Sequence, residues 1–241
     1  MKLFEVKTTQ QPFKVFGTLT NNSDGTIDVD GNVEYHSTAT SLEARFGNVS
    51  GDFWCHFTKI TSLEGAPQSV GGDFRCNHTE LTSLEGAPQS VGGDFFCDDT
   101  KITSLEGAPQ SVGGSFWCQY TKITSLIGAP HSVGGSFLCH NTKIASLEGA
   151  PQSIGRYFYC ADNPSLSLVG VHKILSKNFQ CERFVFSETV KGGLGLKLIK
   201  GIQKIVVNEN IKLTDLFNST NDVLELQDLL IDAGYPNLAR I

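Results

Sequence analysis

The sequence predicts a β-rich solenoid, a leucine-rich-repeat-like parallel β coil closed by an N-terminal β cap and a C-terminal α/β cap. Three observations predict it. The wording Ser62-Leu63-Glu64-Gly65-Ala66-Pro67-Gln68-Ser69-Val70-Gly71-Gly72 returns from Ser83, Ser104, Ser125 and Ser146, each time 21 residues on. Cys55, Cys76, Cys97, Cys118, Cys139, Cys160 and Cys181 keep the same 21-residue interval. Within each copy apolar residues alternate briefly, as at Phe74 and Cys76 around Arg75, and then give way to Gly and Pro. Self-similarity at a fixed period of roughly 20–50 residues marks stacked repeats, and short period-2 runs mark strands with one buried face.

Taken in order, residues 1–40 read as a hairpin or small meander. Leu3–Val6, Phe13–Phe16 and Thr26–Val29 are β-prone, and Asn21-Asn22-Ser23-Asp24-Gly25 is a turn. Phe4, Phe13 and Phe16 are expected to cover the first rung, and Asp30–Tyr35 to be a degenerate rung in phase with Asp52–Phe57. Residues 41–187 form the solenoid, with about seven rungs. In each, a Gly-Gly corner leads into the strand, two apolar residues such as Leu81 and Leu84 follow, and Ala-Pro favours an extended return. Phe179 and Cys181 keep the period, so they should carry the last rung. Residues 188–241 form the C-terminal cap. Its clearest element starts near Thr220, where Val223, Leu226 and Leu230 share a helical face, capped by Ser219 or Asn221 and ended by Gly234.

The order Leu81-Thr82-Ser83-Leu84, Ala87-Pro88, Val91 and Phe95-Phe96-Cys97 resembles the short leucine-rich repeats of bacterial effector proteins. Phe and Cys replace two strand leucines, and Thr79, Thr100, Thr121 and Thr142 stand where that family has Asn, which returns at Asn163. The family's effectors often carry a ubiquitin-ligase domain with a catalytic Cys; nothing after Cys181 fits that part. The repeat wording, with Lys191–Gly195 and Leu230–Pro236, is also similar to 21-residue-repeat proteins of tailed bacteriophages. That resemblance implies a viral origin and a host protein as partner.

Copies within the chain differ at three positions per rung. The first column is Trp54, Arg75, Phe96, Trp117, Leu138 and Tyr159. The second is His56, Asn77, Asp98, Gln119, His140 and Ala161, and the third Phe57, His78, Asp99, Tyr120, Asn141 and Asp162. Strand alternation sends these away from the core, where aromatics among Arg, His, Asp and Asn make a recognition surface. The expected partner-binding residues are Trp54, His56, Phe57, Arg75, His78, Phe96, Asp98, Asp99, Trp117, Gln119, Tyr120, Leu138, His140 and Tyr159. The partner expected is a host protein met in the cytoplasm; a virion or assembly spacer is the alternative.

Other classes are disfavoured. A formal charge of −6 without a basic cluster argues against nucleic acid, and no run approaches the ~20 apolar residues of a membrane span. The first residues lack the apolar stretch of a signal peptide. An odd number of evenly spaced cysteines suits a reduced thiol column better than disulfides. His56, His78, His140, Asp98 and Asp99 follow no Zn or Ca ligand motif, so no metal or other cofactor is expected. Gly192–Leu196 lacks a phosphate-loop ending, and no triad or carboxylate pair is legible, so no catalysis is expected. The C-terminal cap is the place for a homo-oligomeric contact.

Overall fold

The computed structural model describes residues 12–36, 38–175, 177–207 and 210–241. The expected strand at Leu3–Val6 and the contribution of Phe4 lie outside them. The chain winds into a parallel β-solenoid of about nine turns, more than the seven expected. Each repeat contributes two short strands, one at Phe-x (Phe53–Trp54, Phe74–Arg75 and so on) and one at Ser-Val (Ser69–Val70, Ser90–Val91 and so on). Both stack on their counterparts in strict register, Phe74 beside Phe95 and Val70 beside Val91. The Ala-Pro return therefore feeds a second hydrogen-bonded ladder, beyond the merely extended segment that Pro predicts.

The interior of one turn is small. Phe53, Cys55, Ile60 and Leu63 are fully buried, and Val70 closes the other side. The phenylalanines from Phe53 to Phe137 lie in one column, with ring centroids 5.2–5.4 Å apart and planes within 8° of parallel. The column continues through Phe158 to Phe184, where the last pair is 4.9 Å apart. The cysteine thiols do more than fill space: the Sγ of Cys76, Cys97 and Cys118 each donates to the carbonyl of Phe96, Trp117 and Leu138 on the next turn. In turn, Thr79, Thr100 and Thr121 donate their hydroxyls to the carbonyls of Cys76, Cys97 and Cys118 at 2.7 Å. Threonine thus does within one turn what Asn163 does across two, since the Asn163 amide donates to the carbonyls of both Cys139 and Cys160.

Strands β1 (Phe13–Asn21) and β2 (Ile27–Tyr35) form the expected antiparallel hairpin. β2 starts both ladders: Val29 lies beside Val49 and Val33 beside Phe53. Gly31 makes the corner between them at φ +140°, where a Cβ would stand 2.1 Å from the Phe16 carbonyl oxygen. The degenerate rung is real, but its register is offset by two: Asn32, rather than Asp30, lies by Asp52 and accepts its N–H. Phe13 is buried against Tyr35 and Phe46, whereas Phe16 is half exposed and stands outside the core cluster.

Beyond Tyr159 the arithmetic of the sequence misleads. Phe158 pairs with Phe184, 26 residues on, because the return swells to hold helix α1 (Val171–Ile174). Cys181 is buried but three residues ahead of the phenylalanine column, and Phe179 meets Phe158 edge-on. The strand Cys181–Phe186 is interior to the sheet rather than an edge, paired also with Ile202–Val207. That last strand is closed by helix α2 (Ile211–Ser219), an element beyond those expected from the sequence. Asn218 accepts from the Ile205 N–H and donates to its carbonyl, and the Thr214 hydroxyl does both for Val207. Helix α3 (Val223–Asp232) buries Leu226 and Leu230 as expected. Its cap is Asp222, which accepts from the N–H groups of Leu224 and Glu225, and Gly234 follows its end at φ +87°. Leu224 and Ile231 remain exposed.

Two outcomes follow from this packing. Phe116→Ala removes a ring with a stacked neighbour on each side, so chemical denaturation should show a loss of about 3–5 kcal/mol. Burial pushes the thiols up, Cys181 to about 12 and the column cysteines well above their ordinary value. Ellman's reagent at neutral pH should therefore label none of the seven in the folded chain and all of them in denaturant, because the thiolate is the reactive form.

Candidate functional site

The three variable columns lie on one side of the coil. The first column is the outward residue of the Phe-x strands, and Trp54, Arg75, Phe96, Trp117, Leu138 and Tyr159 are each part-exposed beside a fully buried phenylalanine. In-register pairing places them directly above one another. Six levels at roughly 4.8 Å give a strip about 24 Å long. Along it the Arg75 guanidinium lies 4.9 Å over the Phe96 ring while bonding Asp73 at 2.9 Å, and Phe96 stacks on Trp117 at 5.4 Å. His140 meets the Tyr159 ring edge-on at 4.7 Å.

Strand alternation accounts for the first two columns but would turn the third inward. A left-handed residue turns it out instead. Phe57, His78, Asp99, Tyr120, Asn141 and Asp162 all have φ between 50° and 56° and are exposed. Asp, Asn and His tolerate this conformation; Phe and Tyr are unusual in it, at a cost of roughly 1–2 kcal/mol each. On the other side of each turn the chain meets the same demand with glycine, at Gly65, Gly86, Gly107, Gly128 and Gly149. The signal was present in the sequence as the Asp, Asn and His residues of this column. Phe57 and His78 stack at 4.5 Å, and Tyr120 leans on His140.

The second column is more enclosed than expected. Asp98 and Gln119 are buried, and so is Ala161. His56 Nδ1, Asn77 Oδ1, Asp98 Oδ1, Gln119 Oε1 and His140 Nδ1 are buried atoms with no hydrogen-bond partner among the described residues. These are five successive levels, where native proteins leave only a few such atoms per hundred residues. Burial lowers the pKa of His56 and His140, helped at His56 by the Arg75 charge, and burial raises that of Asp98. Both histidines are thereby held toward the neutral form, as acceptors and donors rather than cations.

All fourteen expected residues therefore fall in one contiguous strip, with Asp98 and Gln119 set deeper than the rest. His78, Asp98 and Asp99, set aside as metal ligands from sequence, bring one ligand atom each within 4.8 Å of one another. On the opposite side, the Ser-Val ladder and its glycines line a shallow groove of about 650 Å³ between Ser69 and Gly155. Among the described residues no helix is long and apolar enough to cross a membrane. No family model, curated protein or solved structure matches this chain.

If the third column is maintained for something other than folding, glycine there should stabilise. Asn141→Gly relieves the left-handed residue and disturbs no aromatic contact, so its thermal midpoint should equal or exceed that of the parent; a clear loss would show that the side chain supports the turn.

Proposed function

We propose that the chain is a non-enzymatic protein-binding repeat module that captures a protein partner along the strip formed by the three variable columns. The observation that carries this reading is the left-handed column. At one corner the chain relieves positive φ with glycine in every repeat, and at the other it keeps Phe57, His78, Asp99, Tyr120, Asn141 and Asp162. At Phe57 and Tyr120 this conformation is strained, and strain held next to a part-exposed line of Trp, Arg, Phe and Tyr is the pattern of a surface retained for contact. Rings on a rigid ladder also lose little conformational freedom on binding, which favours affinity.

The resemblance of the repeat wording to leucine-rich repeats, and to repeat proteins of tailed bacteriophages, supports a finer reading. The partner would be a host protein met in the host cytoplasm, and binding would block a defence component or redirect an enzyme. The mixed charge of the strip, with Arg75 and His78 near Asp98 and Asp99, fits a polar protein epitope better than a polyanion.

Affinity capture with the full chain from host lysate tests this. The triple variant Trp54→Ala, Phe96→Ala, Trp117→Ala should lose the captured protein, while Lys101→Ala with Glu106→Ala, on exposed frame positions, should keep it. Retention of the same protein by the triple variant, with folding verified by circular dichroism, ends the proposal. Finding the chain as a stoichiometric part of purified particles would instead favour a virion spacer.

A further inference from the structure

We propose that His78, Asp98 and Asp99 form a binding site for one divalent first-row transition ion, of the Zn²⁺ or Mn²⁺ class. One ligand atom from each lies within 4.8 Å of the other two. The fold brings them together in a way that sequence spacing conceals. His78 and Asp99 are one period apart, so they are vertical neighbours, and both occupy the left-handed position that turns them outward. Asp98 reaches the same point from the end of the strand below. His78 Nε2 and Asp99 Oδ2 are 3.8 Å apart, too far for a hydrogen bond. Ligands at about 2.1 Å from a tetrahedral ion stand about 3.4 Å from each other, so small rotations of the two exposed side chains close the set.

Asp98 supplies the independent observation. The residue is 7% exposed, and its Oδ1 has no hydrogen-bond partner among the described residues. A buried carboxylate with an unpaired oxygen, set within 4.8 Å of an imidazole nitrogen and a second carboxylate, is costly unless a cation or proton compensates it. The Phe57 ring, stacked at 4.5 Å and 7° on His78, holds the imidazole plane. Two carboxylates alone would suit Mg²⁺ or Ca²⁺; the imidazole moves the preference to the transition series. Three protein ligands leave coordination positions for water or for a donor brought by another molecule. The site stands on this chain alone, independently of whether a protein partner docks on the strip.

Isothermal titration of ZnCl₂, and separately MnCl₂, into the chelator-treated full chain tests it without any partner. One ion per chain is expected for at least one of the two metals, with at least about a tenfold loss of affinity in His78→Ala, Asp98→Asn and Asp99→Asn. His131→Ala, an exposed histidine outside the three variable columns, should bind as the parent does. Co²⁺ added to the parent should develop visible ligand-field bands that His78→Ala lacks. If Asp98→Asn does not fold, the two exposed positions carry the test. Absence of saturable binding by both metals, or equal binding by His78→Ala and Asp99→Asn, overturns the proposal.

Discussion

Everything in this molecule rests on in-register stacking of like on like. Each residue has its own counterpart above and below, so a side chain must tolerate a copy of itself at about 5 Å. Phenylalanine satisfies that demand with near-parallel rings from Phe53 to Phe184. The thiols satisfy it by donating to the next turn's carbonyl, and the threonines by absorbing the cysteine carbonyls. The same rule also has costs. Asp52, Asp73 and Asp94 stack their carboxylates, and each is tolerated because it accepts the N–H of the following level. Ser115 and Ser136 continue that ladder without charge.

A column of identical levels has no intrinsic end, so the termini carry separate solutions. At the start, β2 lies across both ladders and the aromatic line turns from stacked to tilted and edge-on contacts through Tyr35, Phe46 and Phe13. At the finish, Phe186 meets Phe217 at 88°, and α2 places Thr214 and Asn218 against the backbone of the last strand. A bare edge of unpaired N–H and C=O groups would invite pairing with another chain, and here polar side chains occupy it.

The frame's regularity is what makes the variable strip meaningful. Where the coil needs a residue, all copies agree; where it does not, it still fixes direction and spacing, so dissimilar side chains converge. The result is a surface whose shape is borrowed from the core and whose chemistry is free to vary. Its first column is aromatic and cationic, its second a line of enclosed polar atoms, and its third an exposed line held in a left-handed backbone conformation. The two proposals overlap in space: protein capture uses the whole strip, and ion binding uses one cluster in its second and third columns.

The sequence by itself determined the coil, because a 21-residue period with apolar residues at fixed positions has one economical way to bury them. It also determined which side chains share a column, since strict periodicity makes sequence distance and height the same quantity. It misplaced the last turns for the same reason: Cys181 keeps the interval, yet Phe184 takes the place in the stack, because ring stacking and the room needed by α1 outweigh arithmetic. Only the tertiary structure decided the orientation of the third column, which depends on a backbone angle rather than on residue spacing. Only it revealed how deeply Asp98 lies and that His78 and Asp99 meet it, because such a cluster is made by neighbours on separate turns and leaves no contiguous motif to read.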